Sequence, residues 1–417
     1  MRQLAAVLFL LSSVAVSAAE LRGVVVDKDA KPINGASVYV YAAFPKKGVS
    51  TICPNCYRDC GKQQAVTAKG AFRVKDVDPS LRFDVLAVAD GYEPAFASKV
   101  DPESGEATSI VLTPRAVADR DRLITGIVLD HRGKPVVGAA VQNSGYRMRR
   151  AKPNGAYAEV TGYGQIPGVD KLSITNAKGE FALRIPDTTG KLDVLVTARG
   201  LAPHIDRLLV PGETRTIQLV EGANVRGKVE RDGKPLAGVR VRLQQRDRRS
   251  SDFLGSQEIG TDDKGQFLIT NMGVDTEWVV FVAASELKDG VVAPKFVKTA
   301  ATNTTVDAGT LTVSRGRTVS GHIAAAEGVT LAEGTELMLR NRATEQSWTT
   351  KIVDGTFSFD NVASGDLYLE LKAKTGLSFV EKPQDGRAWT MARIPADANL
   401  SDLRVFAVPL PPDSALR

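Results

Sequence analysis

Three cysteines lie within eight residues, in Cys53-Pro-Asn-Cys56-Tyr-Arg-Asp-Cys60, and the chain has no others. In an oxidising compartment this cluster is expected to form one disulfide and leave one thiol over, with three single bridges open to it. A staple that pins a long loop is one role for such a bridge. A thiol-based redox centre is another, and Arg58 and Lys62 are cations nearby in sequence that would favour a thiolate. That chemistry needs Cys-x-x-Cys at a helix N-terminus, whereas this stretch falls between expected strands. Zinc would want a fourth ligand and no nearby His supplies one, so no metal is expected.

The other reactive residue types are scattered. His131 is followed by Arg-Gly-Lys, His204 by Ile-Asp-Arg and His322 by Ile-Ala-Ala, so no histidine opens a zinc-peptidase motif. His131 is expected in a turn and His322 along a strand. Gly162-Tyr-Gly164-Gln-Ile-Pro-Gly168 has the wrong spacing for a phosphate loop. No Gly-x-Ser-x-Gly elbow and no distinct carboxylate pair is present, so neither a catalytic residue nor a cofactor is expected. Residues suited to binding are more evident. Tyr146, Arg147, Arg149, Arg150, Tyr157 and Tyr163 fall in an expected loop over 142–172, and the basic cluster there could meet an anionic glycan. Trp348 and Trp389 lie in less regular stretches and could stack on sugars, whereas Trp278 sits in a Val-rich strand and reads as core.

The scaffold that must position these groups repeats itself. Gly23-Val-Val-Val-Asp27 leads through Lys31-Pro32 to Gly35-Ala-Ser-Val38. Gly126-Ile-Val-Leu-Asp130 leads through Lys134-Pro135 to Gly138-Ala-Ala-Val141, and Gly227-Lys-Val-Glu230 through Lys234-Pro235 to Gly238-Val-Arg-Val241. A fainter fourth copy opens at Val319-Ser-Gly321-His-Ile323, with Ala324-Ala-Ala-Glu-Gly328 where the Asp turn and the Pro should stand. A second signature follows each: Lys69-Gly-Ala-Phe72, Lys178-Gly-Glu-Phe181, Lys264-Gly-Gln-Phe267 and Asp354-Gly-Thr-Phe357. Its Phe is expected as a core plug, and Thr67, Thr175 and Thr261 just upstream are expected to close the preceding strand. A period of about one hundred residues is too long for a solenoid, so each copy should be a complete small domain.

Val239-Arg-Val-Arg-Leu243 alternates apolar and charged residues, as a strand with one wet face does. No long run carries a 3.6-residue apolar period, so short strands joined by turns predict antiparallel β-sandwiches. Arg2, the apolar run Leu4 to Leu11 and the small residues Val16-Ser17-Ala18-Ala19 together predict a signal peptide over 1–19, cleaved near Ala18–Glu20. The run is too short for a lasting transmembrane segment. The net charge of +6 is too mild to argue for nucleic acid.

These motifs resemble the carboxypeptidase regulatory-like domain, a transthyretin-like β-sandwich. The resemblance is strong over 21–113, 123–220 and 224–313 and weak over 317–410. It implies a seven-stranded sandwich and a non-catalytic accessory role, with no substrate attached. The expectation is therefore an all-β tandem array of four such sandwiches after the signal peptide: 20–115, 120–221, 222–315 and 316–411. The expected protein is secreted or periplasmic, is not an enzyme, and binds or spaces. Its expected partners are a glycan, a cell-envelope component or another protein. Carbohydrate binding through the loops and a thiol-based redox function are the two alternatives.

Overall fold

The computed structural model describes residues 19–49, 64–115, 120–151, 155, 157–163, 168–186, 190–246, 254–287, 289–325, 331–371, 377–380, 391–394 and 403–409. Residues 1–18 of the signal peptide expected over 1–19, with Cys53, Cys56, Cys60 and Trp389, lie outside them. The chain divides into two compact units, one carrying the first copy and the other the remaining three. The chain is all-β, and each copy has its own hydrophobic core between two sheets.

One sheet has the same centre in every copy. The opening strand, Ala19–Asp27, Leu123–Leu129, Ala223–Arg231 or Arg317–Ala325, lies between two others. On one side runs the Phe-bearing strand, antiparallel: Ala71–Val77, Glu180–Arg184, Gln266–Met272 or Thr356–Val362. On the other runs the closing strand: Thr108–Leu112, Thr214–Gln218, Thr305–Ser314 or Leu403–Pro409. This last pairing is parallel, which corrects the antiparallel expectation. The closing strand arrives from the opposite sheet, and that crossover delivers it in the same direction as the opening strand.

The two repeated signatures meet in the ladder. Gly23 pairs with Phe72, Gly126 with Phe181, Gly227 with Phe267 and Gly321 with Phe357. A Cβ on Gly23, Gly126 or Gly227 would come within 2.7 Å of the opposing ring. Only glycine lets the ring lie flat across the neighbouring backbone, and the ring in turn covers the surface glycine leaves bare. All four Phe side chains are buried, as expected.

The upstream threonines do more than close a strand. Thr67 Oγ1 accepts from the Ala36 N–H at 2.9 Å and donates to the Ile33 carbonyl at 2.7 Å. Thr175 does the same between Ala139 (2.7 Å) and Val136 (2.6 Å), and Thr261 between Val239 (3.0 Å) and Leu236 (2.7 Å). Each hydroxyl thus satisfies two backbone groups of the turn between Pro and the second strand. In the fourth copy Ile352 stands in this place. It has no hydroxyl, but its backbone makes the exchange that the threonine backbones also make with Gly35 and Ala36, Gly138 and Ala139, and Gly238 and Val239: it accepts from Gly334 and donates to Thr335, each at 3.0 Å. Gly334 is therefore the fourth copy's counterpart of Gly35, Gly138 and Gly238. Thr175→Val should cost about 1–3 kcal/mol, because the Ala139 N–H and the Val136 carbonyl lose their partner inside the protein. Denaturant unfolding would register it as a lower midpoint at unchanged slope.

The second sheet carries the sequence variation. In the first copy it runs Gln64–Val66, Ser37–Pro45, Leu81–Val88, Ala95–Val100. At a bulge in Leu81–Val88, Asp84 Oδ1 accepts from the N–H of Lys99, a residue at φ 55°, at 2.9 Å. Burial pushes the Asp84 carboxyl above its ordinary value, and the Lys99 N–H offsets only part of that. The folded state then holds this proton more tightly than the unfolded chain does. The resulting stabilisation is complete below the unfolded carboxylate pKa and is lost as pH rises through the folded value. Asp84→Asn keeps the acceptor and removes the ionisation. It should raise the melting temperature at pH 7 and give no gain below about pH 4, near the unfolded Asp value.

Candidate functional site

The basic stretch expected as a loop is a β-hairpin. Ala140–Ala151 runs on for 12 residues and pairs with Tyr157–Tyr163 in continuous register. Arg149 faces Glu159 in that ladder, Arg150 faces Ala158, and Tyr157 and Tyr163 face Ala151 and Gly145. The side chains of Arg149, Arg150, Tyr157 and Tyr163 are outside the described residues. Tyr146 is corrected from a binding residue to a core one. It is 1% exposed, packs in the second core, and lies where a Cβ on Gly190 would be.

Arg147 is likewise engaged within the fold. Its guanidinium lies 3.4 Å from Asp193 Oδ2, and Arg207 approaches the same oxygen at 3.3 Å. Asp193 is 2% exposed and occupies the bulge position that Asp84 occupies in the first copy. Its Oδ1 accepts from the N–H of Leu208, at φ 57°, at 2.9 Å. A carboxylate so deeply placed needs opposing charge, and two half-buried arginines supply it. Asp206 beside it is held by Arg215 through two hydrogen bonds of 3.0 Å. This charge cluster shapes the sheet edge, and each of its three arginines has a carboxylate partner.

Of the remaining candidates, Trp278 is core as expected, 2% exposed, with its indole N–H 3.3 Å from Thr299 Oγ1. His131 lies in a turn and His322 in a strand, as expected, and His204 opens a strand of its own. Among the described residues no group of three His, Cys, Asp or Glu could hold a metal. No helix among them is long and apolar enough to cross a membrane.

Trp348 leads to a concave site. It lines a cleft of about 390 Å³ between the third and fourth copies, both within one compact unit. The third copy supplies Arg242 from the strand Arg240–Gln245, Glu258 from Ser256–Gly260 and Phe281 from Thr276–Val282. Phe281 is 2% exposed although it points away from its own sheet's core. A short turn over Ala284–Glu286 forms part of the wall and is pinned by Arg240, whose guanidinium binds the Glu286 carboxylate. That carboxylate raises Arg240 above the usual guanidinium range.

The fourth copy supplies a tight turn from Asn341 to Trp348. Asn341 is fully buried and organises it: Oδ1 accepts from Ala343 (3.1 Å) and Thr344 (3.3 Å), and Nδ2 donates to the Ser364 carbonyl at 3.2 Å. A Cβ on Gly365 would fall 2.3 Å from Asn341 Nδ2, so this turn requires a glycine beneath it. The turn presents Gln346, whose Oε1 accepts from the Ala284 N–H of the third copy at 2.9 Å. A second bridge runs from Asn361 Nδ2 to the Gly290 carbonyl at 3.1 Å. Trp348 donates its indole N–H to the Asn361 carbonyl at 3.1 Å, packs one side on the fourth core, and gives the rest of its surface to the cleft. Sequence reading singled out Trp348 alone here. Gln346, Arg242 and Glu258 carry no local pattern that marks them.

No family model matches the chain, and no curated protein matches it. Among solved structures it is similar to a streptococcal ancillary pilin, at 14% identity and a TM-score of 0.22 over 69% of this chain and 99% of that one. The TIE protein of Bacillus anthracis aligns at 10% identity and 0.19 over 96% and 76% of the two chains. BcpA, the major pilin subunit of Bacillus cereus, aligns at 11% identity and 0.19 over 71% and 100%. Likenesses this loose carry no argument, and the fold rests on the strand pairing above.

Proposed function

We propose that the chain is an exported, non-catalytic multidomain protein of carboxypeptidase regulatory-like modules, which binds or spaces components of the cell envelope. The observation that supports this best is the reuse of one construction. Four copies repeat the same Gly–Phe pair and the same opening-strand neighbours, while the sequence differences gather in the second sheet and its connections. A rigid sandwich with variable edges is how binding modules are commonly diversified. The signal segment and the resemblance of the opening motifs supply the remaining support.

Expression with the native N-terminus in a bacterium with a periplasm tests export. The protein should be recovered from the periplasm or medium with its N-terminus near Ala18–Glu20, and an intact N-terminus in the cytoplasm would count against it. Insulin-disulfide reduction should proceed at the rate of buffer alone. Thiol counting on the exported protein should find one free thiol among Cys53, Cys56 and Cys60, as a staple requires. Catalysed insulin reduction would replace this reading with the redox one.

A further inference from the structure

We propose that the cleft between the third and fourth copies binds a neutral oligosaccharide. The proposal builds on the binding-module reading and names a ligand class for one site of it. Charge decides first. Arg242 is the one cation in the lining, and its Nε already lies 3.4 Å from Glu258 Oε2. The second carboxylate of the lining, Glu345, lies 3.7 Å from Arg340 outside it, so no excess of positive charge is present to draw in an anionic polymer. The polar groups are of the mixed kind that vicinal hydroxyls satisfy. The Arg242–Glu258 pair offers donors beside acceptors, and Ser256, Ser285 and Ser347 offer exposed hydroxyls that do both. Gln346 Oε1 is occupied by Ala284, while its Nε2 is buried with no hydrogen-bond partner among the described residues. A sugar hydroxyl would give that donor the acceptor it lacks.

The apolar part fits the same ligand. Trp348 borders the cleft with a part-exposed indole, and the C–H face of a pyranose ring covers such aromatic surface while its hydroxyls point to the rim. The volume suits roughly one or two sugar rings, at the small end of ligand pockets. A purely hydrophobic ligand would cover the ion pair and the serine hydroxyls without giving them partners.

The test uses residues 20–417 and a panel of neutral trisaccharides (maltotriose, cellotriose and chitotriose), with a sulfated oligosaccharide and a basic peptide alongside. Titration calorimetry and tryptophan fluorescence should show saturable binding of at least one neutral trisaccharide. Arg242→Ala removes half of a partly exposed pair and should weaken that binding at least tenfold without moving the melting temperature. Trp348→Phe keeps the apolar packing and should abolish the fluorescence response while weakening binding severalfold. Asp84→Asn, in the first copy, should change neither. The proposal is overturned by no saturable binding of any neutral trisaccharide, by binding indifferent to both Arg242→Ala and Trp348→Phe, or by binding of the sulfated sugar or the peptide alone. Each of those results leaves export and the thiol count untouched, so the broader reading is judged separately.

Discussion

Phe181→Ala is expected to destabilise the second copy by about 3–5 kcal/mol, the range for truncating a well-packed buried aromatic. Phe181 is 4% exposed, sits opposite Gly126, and belongs to a core that also holds Ile124, Val128, Leu183 and Ile217. Replacing the ring with a methyl group opens a cavity over a glycine, so no neighbouring side chain on that strand can move in to fill it. The loss is therefore expected near the upper end of the range. It should be seen in calorimetry as one transition shifted down, with the first copy's contribution unchanged. An unmoved profile would mean that the Gly–Phe register is wrong.

The reciprocal substitution, Gly126→Ala, should cost about 3 kcal/mol by overpacking. Its Cβ would fall 2.5 Å from Phe181 Cε1 and 2.5 Å from the Arg215 carbonyl. The ring can yield, but the carbonyl belongs to the closing strand, held in parallel register with Gly126 against Arg215. The double variant should be less destabilised than the sum of the two singles, because the ring clash disappears with the ring while the carbonyl clash remains. A double-mutant cycle on urea unfolding would measure that coupling, and strict additivity would show that the two residues do not press on each other.

Much of the scaffold was readable because two signatures a few dozen residues apart turn out to be one contact. The glycine that opens each copy and the phenylalanine that follows the turn pair directly, so both had to recur together. The threonines were readable as strand ends, but their role as two-way hydrogen-bonding groups for the turn was not, since Ile33, Ala36 and Thr67 meet only after folding. Outer strands escaped notice for a different reason. Ala95–Val100 contains no buried residue, so no alternation marks it. The paired strands Ala140–Ala151 and Tyr157–Tyr163 read as a loop in sequence because their arginines and tyrosines look like surface chemistry, whereas Tyr146 is core and Arg147 neutralises a buried carboxylate. The cleft was the least legible part. Ala284 and Gln346 are 62 residues apart and touch only where two copies meet.

The central claim is that the four copies are one sandwich built four times, the faint fourth included. Hydrogen exchange on residues 20–417, read by mass spectrometry at peptide resolution, tests it most directly. The structure predicts four separate islands of slow exchange, centred on Ala71–Val77, Glu180–Arg184, Gln266–Met272 and Thr356–Val362, each with its paired opening strand. Fast exchange throughout Arg317–Ala325 and Thr356–Val362, with the other three islands protected, would contradict it.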